Sequence, residues 1–267
     1  MVLTPTIKLK SNNGIPVLGF GTWGLDKGEE QSSIEYALEV GYRHLDAADI
    51  YGSHSHIANA IESIGISRED IFITTKLWKT DLSSNAARIA FLRFLDELQT
   101  GYVDLLLIHR PNPEIPIQET LEVMQEFQEE GSTRSIGVSN FRIEHIQEAL
   151  DTDIDISVNQ VELHPSLSEE ELREFCNKHG IVITAYSPLA RGYDLKLAPI
   201  IQIAEKYGRD PAQVVLNWIM QHGMVAIPKS SNKEHIKSNF QSLEWSLSDE
   251  DMALIDTLNT NDRIEEK

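Results

Sequence analysis

The chain has 267 residues, of which 41% are hydrophobic and 24% charged, so a large core can form and a disordered chain is excluded. Lys and Arg number 23 against 42 Asp and Glu, a formal net charge of −19 whose field repels phosphate backbones and speaks against a nucleic-acid partner, while leaving room for one small basic pocket. Cys176 is the only cysteine, which rules out an intrachain disulfide and fits a reducing compartment.

The polar opening stretch, residues 1–14, does not read as a secretory signal. No uncharged apolar run approaches the ~18 residues of a membrane span. A cytoplasmic, soluble monomer is therefore expected.

Along the chain, Ile7–Lys10 and Ile15–Leu18 flank Asn12, Asn13 and Gly14, which predicts an N-terminal β-hairpin around an Asn-Gly turn. Beyond it, eight short apolar runs alternate with amphipathic stretches. Strands are expected at Leu18–Thr22, His44–Asp46, Ile71–Lys76, Asp104–His109, Ser135–Ser139, Ser157–Val161, Val182–Tyr186 and Val225–Pro228. Helices are expected between them at Glu29–Val40, His56–Ile64, Ser83–Leu98, Ile117–Glu130, Ile143–Leu150 and Ser168–His179, followed by the pair Ala198–Tyr207 and Pro211–His222.

Local signals support this division. Gly41, Gly65, Gly101, Gly131 and Gly180 each follow a helical stretch, where a helix stop is expected. Ser168 and Glu171 form a candidate capping box, and Pro211 suits a first helical position. The acidic runs Glu169–Glu171 and Asp249–Asp251 read as solvated helix starts, and Cys176 as core. The run from Leu105 to Ile108 is continuously apolar, as parallel strands buried on both faces are. Strand and helix alternating eight times with right-handed crossovers close into a (β/α)8 TIM barrel; an open doubly wound sheet is the second possibility. No linker composition divides residues 1–267, so one domain is expected.

In such barrels, chemistry sits at the C-terminal ends of the strands. Asp46, Lys76, His109, Ser139, Asn140, Gln160, Tyr186 and Lys229 all fall at or just after expected strand ends, and Tyr51 follows in a loop. Four of them make a chemical set. Tyrosine is a poor acid, but an ammonium beside it favours the phenolate. Lys76 can supply that ammonium, Asp46 can hold it charged, and His109 can donate to a substrate oxygen. Together they would protonate a carbonyl oxygen as charge develops on it. None is a hydride source, so a cofactor must carry that part. Taken singly, each residue also has an ordinary structural explanation: an ion pair for Asp46 and Lys76, a packed loop ring for Tyr51, and core positions for His109 and Tyr186.

Two other patterns lead nowhere. Residues 19–24 match G-x-G-x-x-G, but no helical pattern begins until near Glu29 and Trp23 sits where a compact turn is wanted, which speaks against a Rossmann unit. His54 and His56 lack a Cys or carboxylate at metal-ligand spacing and read as a polar loop, so no metal site is expected.

In order, the stretches LDAADIY (45–51), ITTKLW (73–78), YVDLLLIHRP (102–111), IGVSNF (136–141), NQVELHP (159–165), AYSPLARG (185–192) and IPKSSNKEHIKSNF (227–240) make the chain resemble the aldo-keto reductases, and within them the small bacterial diketo-gluconate and methylglyoxal reductase type. The resemblance spans nearly the whole length. It implies nicotinamide-dependent carbonyl reduction on a barrel. Tyr51 would be the general acid, with Lys76, Asp46 and His109 as partners. Ser139, Asn140 and Gln160 would hold the nicotinamide carboxamide, and Tyr186 would stack on its ring. Gly21 and Thr22, Ser187 and Leu189, and Lys229, Ser230, Ser231, His235 and Asn239 would complete the NADPH site. Trp23, Trp78 and Arg110 would line the substrate pocket.

Three positions depart from many relatives. Gly52 and Ser53 follow Tyr51 in place of Asn-Glu, which adds backbone freedom. Arg110 replaces a tryptophan and brings a planar fork suited to carboxylates, so acid-bearing carbonyl substrates are expected unless the side chain turns away to a surface partner. His235 replaces an arginine that commonly grips the 2′-phosphate; NADPH is still expected, with NADH as a weaker alternative. The chain ends soon after Arg263, short of the long tail of many relatives, and a broad pocket is expected. Two other classes compete with a reductase: a lyase using Lys76 as a Schiff-base amine, and a nicotinamide-binding regulatory subunit with little turnover.

Overall fold

The computed structural model describes residues 4–264. Two short strands, β1 (Thr6–Lys8) and β2 (Gly14–Pro16), pair antiparallel as the expected hairpin. The turn differs from the expectation. Gly14 lies inside β2, opposite Lys8, and Asn12 takes the left-handed conformation (φ 69°) at the end of a turn closed by the Asn12 N–H donating to Leu9 O at 2.9 Å. Asparagine tolerates that region well enough to take the place of glycine.

Eight parallel strands follow: β3 (Phe20–Gly21), β4 (His44–Asp46), β5 (Phe72–Leu77), β6 (Leu105–Ile108), β7 (Ile136–Ser139), β8 (Val158–Glu162), β9 (Val182–Tyr186) and β10 (Val225–Ala226). Each pairs with its neighbours in sequence order. The two edges then meet. Gly19 N–H donates to Ala226 O (2.9 Å), Ala226 N–H to Val17 O (2.9 Å) and Gly21 N–H to Pro228 O (3.0 Å). This closes the expected TIM barrel. The first and last strands are shorter than expected, partly because Pro228 has no N–H to continue the ladder.

The helices are α1 (Glu30–Val40), α2 (His54–Ile64), α3 (Ser84–Glu97), α4 (Ile117–Glu129), α5 (Ile143–Leu150), α6 (Glu170–Lys178), α7 (Ala198–Tyr207), α8 (Pro211–Gln221), α9 (Lys233–Phe240) and α10 (Asp249–Asp256). Of the last two, α10 was expected only through its acidic start at Asp249–Asp251 and α9 was not expected; α9 is mostly polar, with Ile236 and Phe240 turned into the core. At α6 the expected capping box is absent. Glu169 occupies the N-cap in a left-handed conformation, makes no cap hydrogen bond, and pairs instead with Arg263. Asp251 is likewise no solvated helix start: it is buried and accepts from Lys206 Nζ (2.8 Å), Tyr207 OH (2.6 Å) and Ser248 Oγ (2.8 Å). After α3 the left-handed residue is Gln99 (φ 51°) rather than Gly101.

The period-two alternation of the strands splits the core into two parts. Leu45, Ile73, Leu106, Ile108, Val138, Val161 and Ala185 face outward onto the helices. Phe72, Leu105, Leu107, Val158, Val225 and Ile227 face inward and pack with Leu9 and Ile15 of the hairpin segment, which plugs the N-terminal end. Side chains of this inward parity turn polar at the opposite end: Asp46, Lys76, Ser139 and Gln160. Gly137 shares that parity and must be glycine, because a Cβ there would come 2.6 Å from Val158 O.

Candidate active site

The C-terminal strand ends surround a cavity of about 600 Å³ whose wall includes Asp46, Tyr51, His109, Ser139, Asn140, Gln160, Tyr186 and Lys229. Trp23, Trp78 and Arg110 line it as well, and so do Gly21, Ser187 and Leu189. That volume is typical of small-molecule and cofactor sites.

Lys76, from β5, lies beneath the cavity floor and is fully buried. Its Nζ donates to Asp46 Oδ1 (2.6 Å), to Ala47 O (2.8 Å) and to Tyr51 OH (3.3 Å). Three acceptors match the three protons of an ammonium. Burial pushes the Lys76 pKa down, and the Asp46 carboxylate opposes that shift. The same carboxylate accepts from Gln160 Nε2 at 2.7 Å through Oδ2, so one acid ties β4 to both β5 and β8. Tyr51 ends a short 3-10 turn, Asp49–Tyr51, which Arg93 of α3 pins through Asp49 at 2.8 Å.

His109 packs edge-on to Tyr51 and to Trp78, with ring centroids 5.6 and 4.9 Å apart. Burial first, and then the Lys76 and Arg110 charges, push its pKa down to about 2. The ring is therefore neutral at neutral pH, with one donor and one acceptor nitrogen. Its Nδ1 is buried and has no hydrogen-bond partner within the protein.

The wall beside this set is tied together by side chains. Ser139 Oγ donates to Gln160 O (2.8 Å), Asn140 Nδ2 to His109 O (2.9 Å) and Tyr186 OH to Asn140 Oδ1 (2.8 Å). Asn140 reaches both partners from a left-handed backbone (φ 61°). Gly21 brings bare backbone to the wall: a Cβ there would meet Ile227 O at 2.9 Å. The bare backbone at Gly21 and the unpartnered His109 nitrogen leave close approach and an unmet polar group for a ligand at this wall.

Other expected site residues fall outside the wall. Thr22 is buried, donating to Asp46 O (2.8 Å) beside Ser53 Oγ (2.8 Å). Ser230, Ser231 and His235 sit at the start of α9. Ser230 Oγ accepts from Asn232 N–H (3.0 Å), Ser231 Oγ accepts from Asp26 N–H (2.8 Å), and Asn232 Oδ1 caps Glu234 and His235. Asn239 is buried in the last turn of α9.

His54 is a correction to the polar-loop expectation. It opens α2, is buried, and holds Glu97 Oε2 and Thr75 Oγ1, each at 2.8 Å. Burial pushes its pKa down, with Glu97 opposing. Nothing in the local sequence marks it, because both partners are distant in the chain. Ile50, Arg191 and Leu195 line the cavity and were not singled out from sequence. The first neighbours Tyr51 and the second lies within the AYSPLARG stretch, which were the available signals. Among the described residues no group of three His, Cys, Asp or Glu is arranged to hold a metal, and no helix is long and apolar enough to cross a membrane.

Comparisons with known proteins show the family and the fold. The family model described as "Aldo/keto reductase family" matches residues 17–260. The chain is 39% identical over 264 residues to a glyoxal reductase of Bacillus subtilis (strain 168), covering 98% of this chain and 95% of the relative. It is 40% identical over 263 residues to a 9,11-endoperoxide prostaglandin H2 reductase of Trypanosoma cruzi (strain CL Brener), covering 97% and 93%. Among solved structures, an aldo/keto reductase from Brucella melitensis superposes with TM-score 0.93 at 40% identity, covering 97% of this chain and 99% of that one. An aldo-keto reductase complexed with NADPH superposes with TM-score 0.93 at 30% identity, covering 99% and 90%.

The buried histidines make stability depend on pH. Folding lowers the pKa of His44 to about 4 and of His109 to about 2, from 6.5. At these two positions the unfolded chain binds more protons below pH 6.5, so their contribution to stability falls as pH drops through that value, whereas buried His164, whose pKa folding raises, contributes in the opposite sense. Urea unfolding at pH 7 and pH 5 tests this. His109→Gln is expected to lose about 2 kcal/mol less than the original chain between those two conditions. Equal losses contradict the assignment.

Proposed function

On the premise that the chain belongs to the aldo/keto reductase family, a family of NADPH-dependent oxidoreductases, we propose that it reduces small aldehydes or ketones to alcohols, with Tyr51 as the general acid. The observation carrying this reading is the buried Lys76 ammonium, held by Asp46 at 2.6 Å and donating to the Tyr51 hydroxyl at 3.3 Å beside the cavity.

When bound, NADPH supplies the hydride. Ser139, Asn140 and Gln160 would hold its carboxamide, and Tyr186 would support its ring. Lys229, Ser230, Ser231 and His235, gathered at the start of α9, are the groups for its 2′-phosphate; the helix N-terminus adds to their attraction for an anion. His235 is exposed at the start of α9 and offers an imidazole in place of a guanidinium, so NADPH is preferred and NADH accepted more weakly.

The chain's own groups do the proton work. Neutral His109 orients the substrate oxygen by hydrogen bonding. Tyr51 releases its proton to that oxygen as negative charge builds on it. Lys76 stabilises the phenolate left behind, and Asp46 keeps Lys76 charged. A charged Lys76 also argues against a Schiff-base lyase, which needs the free amine.

Substrate choice follows from the wall. Trp23, Trp78 and Ile50 offer apolar surface, and Arg110 adds a cation at the same cavity. Arg110 is exposed, and its charge is felt at His109. Carbonyl compounds bearing a carboxylate are the class this arrangement favours.

Two experiments test the reading. NADPH oxidation with a panel of small aldehydes, glyoxal included, is expected to proceed with higher kcat/KM than the NADH reaction. Tyr51→Phe should lower turnover at least about 100-fold while still binding NADPH, seen by quenching of tryptophan fluorescence. Undiminished turnover in Tyr51→Phe contradicts the general-acid role. In the second, Arg110→Trp should lower kcat/KM for a carboxylate-bearing aldehyde about 10-fold relative to a neutral one. An unchanged ratio contradicts the substrate class.

A further inference from the structure

The loop after β9 contributes Ser187, Pro188, Leu189, Arg191, Gly192 and Leu195 to the cavity. Its backbone is left-handed at Ser187 (φ 46°), Ala190 (φ 47°), Arg191 (φ 51°) and Gly192 (φ 87°). Three of those four carry side chains, which disfavour that region. Such a shape persists only where its surroundings hold it. The loop's internal bonds, Ala190 N–H to Ser187 O (2.8 Å), Gly192 N–H to Leu189 O (2.7 Å) and Tyr193 N–H to Ala190 O (2.9 Å), are local. They shape the loop without fastening it to the barrel.

A buried polar fastening is Asp194. It is fully buried, although the residues on either side of it are not. Its Oδ1 accepts from Ser166 Oγ (2.6 Å), and its Oδ2 accepts from Ser166 N–H (3.0 Å) and lies 3.1 Å from His164 Nδ1. His164 is also fully buried, and its Nε2 lies 3.4 Å from Oε1 of Glu162, the last residue of β8. A chain of carboxylate, imidazole and carboxylate thus runs from the barrel wall to the loop. Burial works against a charged His164, but Asp194 and Glu162 outweigh it and hold its pKa above the ordinary value. Burial works to raise the Asp194 pKa, and the His164 and Ser166 hydrogen bonds hold it below. Residues 162–169 also receive the C-terminal segment: Ile264 N–H donates to Glu162 Oε1 (2.6 Å), Asp262 N–H to Ser166 O (3.2 Å), and Arg263 faces Glu162 and Glu169. The platform beneath Asp194 is therefore itself braced.

We propose that Asp194, clamped by Ser166 and His164, is a positioning residue that fixes the loop 187–193 in its cavity-facing shape and so sets affinity for the nicotinamide cofactor rather than the rate of hydride transfer. Asp194 does not line the cavity and touches none of Tyr51, Lys76, Asp46 or His109. It acts through the loop alone. If the loop is correctly shaped only a fraction of the time, apparent affinity falls by that fraction. The inference rests on the reading of the cavity as a cofactor site, and its test separates the two.

The test compares the original chain with Asp194→Ala. Amide hydrogen exchange on the protein alone reads the loop; NADPH titration by tryptophan fluorescence reads affinity; single turnover at saturating NADPH reads hydride transfer. Exchange in residues 187–193 should rise about 10-fold with β5 and β6 unchanged, and the NADPH Kd should rise about 10-fold. The single-turnover rate should stay within about threefold. Asp194→Asn, which keeps an acceptor for Ser166 and loses the charge opposite His164, should fall between the two. Should Asp194→Ala not fold, Ser166→Ala is read in its place, with about a threefold rise in Kd expected. Unchanged loop exchange and Kd overturn the proposal, and so does a slower single turnover at unchanged Kd. Increased loop exchange in Asp194→Ala, together with an original chain that binds no NADPH, upholds the clamp and refutes the cofactor reading.

Discussion

A lysine ammonium with no exposure to solvent is the constraint on which the rest of the structure depends. Unpaired, such a charge costs several kcal/mol. Asp46 answers it at 2.6 Å, and Ala47 O and the Tyr51 hydroxyl take its other two protons. Because Asp46 spends its second oxygen on Gln160, the ion pair also sets the position of β8 relative to β4 and β5. The polarity of one end of the barrel follows. Its N-terminal end is closed by apolar side chains and a hairpin, while its C-terminal end is a layer of groups that satisfy one another and leave Tyr51 and His109 beside a cavity.

The elements around that layer serve its geometry. Arg93 pins the turn that carries Tyr51, and His54 ties the start of α2 to Thr75, next to Lys76 in β5. On the other side Asn140 bridges His109 O and the Tyr186 hydroxyl. Farther out, the buried Glu162, His164 and Asp194 hold the loop that shapes the cavity's rim. The reacting groups are thus tied to one another, and the loop after β9 is anchored through a separate charge network.

Much of this was legible in the sequence because the barrel writes its architecture locally. Strand and helix alternation showed the topology, and polar residues at strand ends showed where the chemistry lies. What was not legible depends on long-range contacts. His54 reads as a polar loop until Glu97 and Thr75 enclose it. Asp251 reads as a solvated helix start until Lys206 and Tyr207 close over it. At the hairpin, Asn12 rather than Gly14 took the left-handed position, a choice between two permissive neighbours that local propensity does not settle. At α6, Arg263 drew away the glutamate beside the expected cap. The site's inner set of Asp46, Tyr51, Lys76 and His109 is brought together in the structure, whereas Thr22 donates to Asp46 O behind the cavity wall and Ser231 accepts from Asp26 N–H before the start of α9.

The most direct measurement of the central claim is the kcat/KM of Lys76→Met for NADPH-driven aldehyde reduction, read beside its Kd for NADPH. Methionine fills the buried space without the charge that supports the Tyr51 phenolate. The account predicts a fall of at least about 100-fold in kcat/KM with the Kd nearly unchanged. A folded Lys76→Met protein whose kcat/KM stays within about threefold of the original would contradict it.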